Sequence, residues 1–455
     1  MTRSNPDDGS RKVAVGPGVV RLGLAAVLGW GLSGCGREPE KKAPAPVATT
    51  TVSNQALQRV PRLASTQDVA RAVPVPLAAT NAAGPVVATN LPAPAAAKPV
   101  PEAKPDALEE LRAAAGRGDA AAQLALGMRH AKGEGVDRDP VAAVAWFRKA
   151  ADQGNAAAQN ELGLRLAAGE GVARDPVAAA QWFRKAAEQG VAAAQARLGI
   201  AFFEGEGVAK SDDEAVQWLR KAAEQGDADA QYRLGWALVN GRGVGRDFDA
   251  ALKWYRQAAA QGNAAAQRNL GFAYFNAQGL ARDEVEAAKW VRLAADQGDM
   301  EAQHSLGWAY ANGKGVGKDD VESAKWYRKA AEQGHANAQN KLGFAHANGQ
   351  GVPRDEAEAA RWFRKAAEQG NATAQSNLGA MHAEGIGVPK DPVEAFAWYN
   401  TAVFHLSLQG EPALAELAEA MGTRDRLGET LSPAEIAVAQ KRTKELRVLM
   451  ESRRR

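Results

Sequence analysis

The residues able to do chemistry are few and widely spaced. Six histidines occur: His130, His304, His335, His346, His382 and His405. His346 and His382 sit 36 residues apart, no two histidines are four apart, and the spacing offers no shared metal, so no metal site is expected. The single cysteine, Cys35, excludes an internal disulfide. Gly133 and Gly135 form a Gly-x-Gly that follows no strand and reads as a turn, not a dinucleotide loop. A basic column runs through Arg148-Lys149, Arg184-Lys185, Arg220-Lys221, Arg328-Lys329 and Arg364-Lys365. Each Arg has an acid four residues on (Asp152, Glu188, Glu224, Glu332, Glu368), which predicts a solvated face of helix ion pairs. Catalysis needs distinct polar groups that converge, whereas these residues recur as columns of one type, so no enzyme chemistry and no cofactor are expected.

The columns come from a strict repeat of 36 residues. Leu-Gly recurs from Leu126-Gly127 to Leu378-Gly379, a Trp from Trp146 to Trp398, and Ala-Gln from Ala122-Gln123 to Ala374-Gln375, each eight times without slippage. In the unit Asn155 to Gly190, Ala158, Leu162 and Leu166 share one helical face, and Gly169 stands where a left-handed cap is wanted. Asp175-Pro176 then opens a second helix, with Asp as N-cap and Pro at the first position. That helix carries Trp182 and ends at Gln189-Gly190. The unit is a helix hairpin, and Trp182 is expected to fill the space between hairpins.

These residues resemble the Sel1-like repeat family, a tetratricopeptide-like class, over about 290 residues. The resemblance implies an all-α, right-handed α-solenoid of eight helix-turn-helix repeats. Departures are local: Ala277-Gln278-Gly279-Leu280 replaces Gly-x-Gly-Val in the fifth unit, and Ser211 replaces Asp in the third. The position usually held by Tyr is His130, Leu166, Phe202, Leu238, His346 and His382 in six units.

Outside the repeats, residues 1–35 resemble an export signal: basic residues, a short apolar core from Leu22 to Gly34, then Leu32-Ser33-Gly34-Cys35. The last four resemble a bacterial lipobox, which implies lipidation at Cys35 and an envelope location, periplasmic and anchored in a membrane, with Gly36 compatible with the outer membrane. Residues 36–106 are rich in Pro and Ala, lack aromatics and read as a disordered tether of roughly 45 Å as a flexible coil. Residues 107–118 read as a half-repeat with Glu110 in the Trp position, so the solenoid is expected over 107–406. A helical cap and basic tail fill 407–455. One helix is expected over Glu411–Met421 and another from the capping box at Ser432 to about Met450. Leu431, Ile436, Val438, Leu446 and Leu449 are expected to cover the last hairpin.

Formal net charge is +3 with 24% charged residues, near balance, so composition argues against nucleic acid as a partner. The function expected is a non-enzymatic scaffold that holds a protein or peptide in a groove. The candidate surface lies on the first helices, at positions taken to point away from the packing face. They are the column Tyr232, Arg268, His304 and Asn340, the aromatics Trp236, Phe272, Trp308 and Phe344, and the amides Asn240, Asn276, Asn312 and Asn348. The alternatives are a β-lactam-binding or hydrolysing enzyme, as in some exported relatives that carry disulfides this chain lacks, and a purely structural envelope spacer.

Overall fold

The computed structural model describes residues 105–410 and 413–453. The expected signal, Cys35 and nearly all of the expected tether lie outside them. Among the described residues there are helices and turns and no strand, and no helix is long and apolar enough to cross a membrane.

Helix α1 (Pro105–Gly116) precedes eight hairpins. They are α2 (Ala120–Lys132) with α3 (Pro140–Asp152), α4 (Ala156–Ala168) with α5 (Pro176–Glu188), α6 (Ala192–Glu204) with α7 (Asp212–Glu224), and α8 (Ala228–Asn240) with α9 (Phe248–Ala260). Then come α10 (Ala264–Asn276) with α11 (Glu284–Asp296), α12 (Met300–Asn312) with α13 (Asp320–Glu332), α14 (Ala336–Asn348) with α15 (Glu356–Ala367), and α16 (Ala372–Glu384) with α17 (Pro392–Ser407). Two further helices follow, α18 (Leu414–Gly428) and α19 (Pro433–Arg453).

The helices start where side chains meet their first free N–H groups. Asn155 accepts from the Ala158 N–H and Asp175 from Ala178, and the pattern recurs along the chain. Val191 is the exception among the first helices and makes no side-chain cap. In six of the eight hairpins the inner turn lies close against the backbone of the preceding hairpin. A Cβ on Gly171 (φ 73°) would lie 2.1 Å from the Pro140 carbonyl oxygen, so only glycine lets this turn rest on the preceding hairpin. In the fifth hairpin the left-handed cap is Ala277, at φ 56°.

Two devices hold the stack together. The first is apolar and closes each hairpin on itself. In most hairpins the residue after the Trp, not the Trp itself, is the deepest wedge: Phe147 and Phe363 are fully buried, and Tyr255 is nearly so, while in the eighth hairpin Trp398 lies deeper than Tyr399. The residue after each Trp reaches the glycine of the Leu-Gly pair in its own hairpin, as Phe183 does at Gly163. The Trp column is shallower than expected. Trp146, Trp182, Trp218, Trp254 and Trp290 are half-buried, and only Trp326, Trp362 and Trp398 are buried.

The second device is polar. Every Gln of the Ala-Gln pair is buried. Gln339 donates to the Ala331 carbonyl of the preceding hairpin (3.0 Å) and accepts from Gln369 at the end of its own (2.7 Å). The same pair of bonds recurs from Gln123 to Gln375, where His405 replaces the second Gln at 3.0 Å. A buried amide with both ends satisfied escapes the penalty of an unpaired polar group and fixes the register of three successive helices.

The basic column is built differently from the expected ion pairs. Among the described residues none of the five Arg–acid pairs closes. Instead the lysines lie over the indoles: Lys149 over Trp146 (4.2 Å), Lys185 over Trp182 (3.9 Å) and Lys365 over Trp362 (4.0 Å). The arginines reach the next hairpin, Arg328 donating to His346 Nε2 and Arg364 to His382 Nε2, both at 3.2 Å.

Both ends are closed. Leu111 of α1 and Trp146 both pack on the core of Ala115, Ala122 and Leu126, with Glu110 exposed as expected. At the other end Leu446 and Met450 of α19 join Phe363 and Trp398 in one core. Arg442 Nε donates to Glu394 Oε2 (2.9 Å), and Glu394 Oε1 accepts from the buried Trp398 indole (3.0 Å). The capping box forms, with Ser432 N–H donating to Glu435 (2.8 Å). Val438 and Leu449 are exposed, contrary to their expected role as a cover, because α19 turns Ala439, Leu446 and Met450 inward instead. The helix expected over 411–421 begins at Leu414 and runs on to Gly428.

Candidate partner-binding face

The face in question is built by the first helices α8, α10, α12 and α14. Leu234, Leu270, Leu306 and Leu342 are fully buried and fix the rotation of each helix. The residues two positions either side of each Leu then fall into two columns with different surroundings.

The column before the Leu does not point away from the packing. Tyr232 stacks on Tyr255 (centroids 6.0 Å, 30°), whose hydroxyl accepts from Asn269 at 3.2 Å. Burial pushes both phenols above their usual range. Arg268 pairs with Asp299, the N-cap of α12, at 2.7 Å. Asn340 is buried and accepts from Asn377. Arg268 and Asn340 thus tie their helices to the next first helix, while Tyr232 packs on the second helix of its own hairpin.

The column after the Leu is half-buried throughout: Trp236, Phe272, Trp308 and Phe344. Trp236 stands edge-on to Phe203 of the preceding first helix (6.3 Å, 80°), and Trp308 stands likewise to Phe275 (5.4 Å, 85°). Phe344 stands edge-on to Phe363 (5.3 Å). Phe272 packs on the core of Val291 and Leu306. One edge of each ring is thus anchored while part of it stays accessible.

The amides end their own helices. Asn240 donates to the Trp236 carbonyl (2.8 Å), Asn312 to Trp308 (2.8 Å) and Asn348 to Phe344 (3.0 Å). Their side-chain oxygens make no such bond. Asn312 and Asn348 are exposed, and Asn240 and Asn276 half-buried. The neighbouring first helix α6 carries a half-buried charge. Arg197 precedes Leu198, and burial lowers its pKa against the opposing pull of Glu161, Asp227 and Asp229.

One grouping was not legible as a site. Glu301 and His304 of α12 meet His335, the N-cap of α14, with one ligand-type atom from each within 4.8 Å of the others. Its two histidines are neither four residues nor one repeat apart. The signal that finds it is a Glu and a His three apart on one helix, read together with the N-cap that follows 31 residues later.

The Sel1 repeat profile matches residues 120–155, 156–191, 192–227, 228–263, 264–299, 301–335, 336–371 and 372–403. The chain belongs to the Sel1 repeat family. Among solved structures, this Sel1 repeat protein is similar to a Sel1 repeat protein from Oxalobacter formigenes. The two are 34% identical with a TM-score of 0.50, over 69% of this chain and 90% of that one. It is also similar to c5321, a protective antigen of uropathogenic Escherichia coli with the same repeat fold. There the identity is 30% and the TM-score 0.38, over 75% of this chain and 86% of that one. No curated protein matches. Sel1 repeat proteins are in general scaffolds for protein interactions, and the family is typically non-catalytic.

Proposed function

We propose that this Sel1 repeat protein is a non-enzymatic scaffold that holds an extended protein segment along α8, α10, α12 and α14. The observation that carries this reading is the aromatic at one position of four consecutive first helices, each held half-buried. Rings anchored on one edge have already lost most of their rotamer freedom, so covering the rest costs little ordering entropy. Asn312 and Asn348 lie beside two of the rings, and their side-chain oxygens are placed to accept N–H groups from an extended backbone. The column before the Leu serves the joints, so the contact surface narrows to the aromatics and amides. In this reading the scaffold works in a bacterial envelope, tethered to a membrane by a lipid on Cys35.

Photo-crosslinking in cells tests it. A crosslinking residue at Asn312 or Asn348 is expected to trap one discrete protein, while the same residue at Val177, exposed on a second helix, traps none. Trp308→Ala should weaken the adduct. Equal trapping from both faces, or none from either, overturns the reading. Labelling with a palmitate analogue, lost in Cys35→Ser, tests the anchor.

A further inference from the structure

We infer that Glu301, His304 and His335 form a binding site for a divalent transition-metal ion of the Zn2+ class, clamping the joint between the sixth and seventh hairpins. Glu301 and His304 are three apart on α12 and so share a face. His335 comes from the next hairpin and is 9% exposed. Its Nε2 donates to Glu301 Oε2 at 3.0 Å, and its ring stacks on His304 with centroids 4.4 Å apart. Two imidazoles and one carboxylate are a donor set for Zn2+, with water completing the shell.

Corresponding joints show what is particular here. There the same positions hold Asp229 with Asn263 (3.2 Å) and Asn337 with Asn371 (2.7 Å), ordinary hydrogen-bonded clasps. Among the described residues only this joint has ligand-type side chains at all three places. Tetrahedral bonds of about 2.0–2.2 Å put ligand atoms roughly 3.3–3.6 Å apart, so atoms lying within 4.8 Å of one another need at most about 1 Å of closure. The stack must open by rotation of one ring about its Cβ–Cγ bond, so that both lone pairs converge. Nδ1 of His335 accepts from the Ala338 N–H (3.1 Å), which leaves the proton on Nε2. Metal binding transfers that proton to Nδ1 and gives up the cap. The fold tolerates this loss elsewhere, since α6 starts at Val191 with no side-chain cap.

Titration of the purified full-length chain with Zn2+ alone, and with Co2+ read by its visible d–d bands, tests the site. One ion per chain is expected, with a rise in melting temperature. His335→Asn preserves the cap and the clasp, as Asn263 does beside Asp229, yet removes a ligand. It and His304→Ala should each weaken binding at least about tenfold, and His335→Asn should abolish the thermal shift. Absence of binding, or binding that both variants leave unchanged, overturns the site and reduces the trio to a clasp. Neither result bears on the aromatic face, which the crosslinking reads separately.

Discussion

The ring of Phe363 lies against the backbone of Gly343, so that a Cβ there would come 2.7 Å from Phe363 Cδ1 and Cε1. Gly343→Ala gains roughly 1 kcal/mol of helix propensity but forces the wedge out of its slot. The steric term dominates, and a net loss of about 1–3 kcal/mol is expected in urea unfolding. Gly379→Ala should cost less, because its Cβ would stand 3.1 Å from Tyr399.

The wedge outranks the indole beside it. Tyr255 is 4% exposed while Trp254 is half-buried. Tyr255→Ala is expected to lose about 3–5 kcal/mol by leaving a cavity. Trp254→Ala should lose clearly less, as measured by the same unfolding curves. Equal losses would place the Trp column back at the centre of the packing.

Gln339→Leu removes the bonds to Ala331 and Gln369. The Ala331 carbonyl is left buried without its side-chain partner, and a cost of about 1–3 kcal/mol follows. Hydrogen exchange should quicken locally in α13 and α14. A melting temperature at the wild-type value would mean the amide ladder contributes no stability.

Ala277 holds a left-handed backbone that glycine adopts freely. Ala277→Gly is expected to raise stability by about 1 kcal/mol, read in a chemical melt. A decrease would show that the methyl group has a packing role.

His382 accepts from Arg364 through Nε2, and burial followed by the Arg364 charge lowers its pKa below the usual imidazole range. As pH falls below about 6.5 the unfolded chain takes up a proton that the folded chain resists. Stability is therefore complete at neutral pH and declines toward acid. His382→Tyr, which copies the Tyr310 hydroxyl facing Arg292, should remove this part of the acid sensitivity in melts across the pH range.

The sequence by itself determined the eight hairpins, their caps, the half-repeat at Glu110 and the capping box at Ser432, because each follows from periodicity and local turn chemistry. Asn155, Gly169 and Asp175 act on backbone groups a few residues away, and such contacts can be read along the chain. The tertiary structure alone decided which side of each column faces a neighbour. A helical count from Leu306 gives the angle of His304 on its own helix but not what stands beside it, and what stands there is His335, 31 residues on. For the same reason Arg328 meets His346 rather than Glu332, and Phe363 rather than Trp362 seats against Gly343. Packing geometry within and between hairpins, not spacing along the chain, assigns those partners.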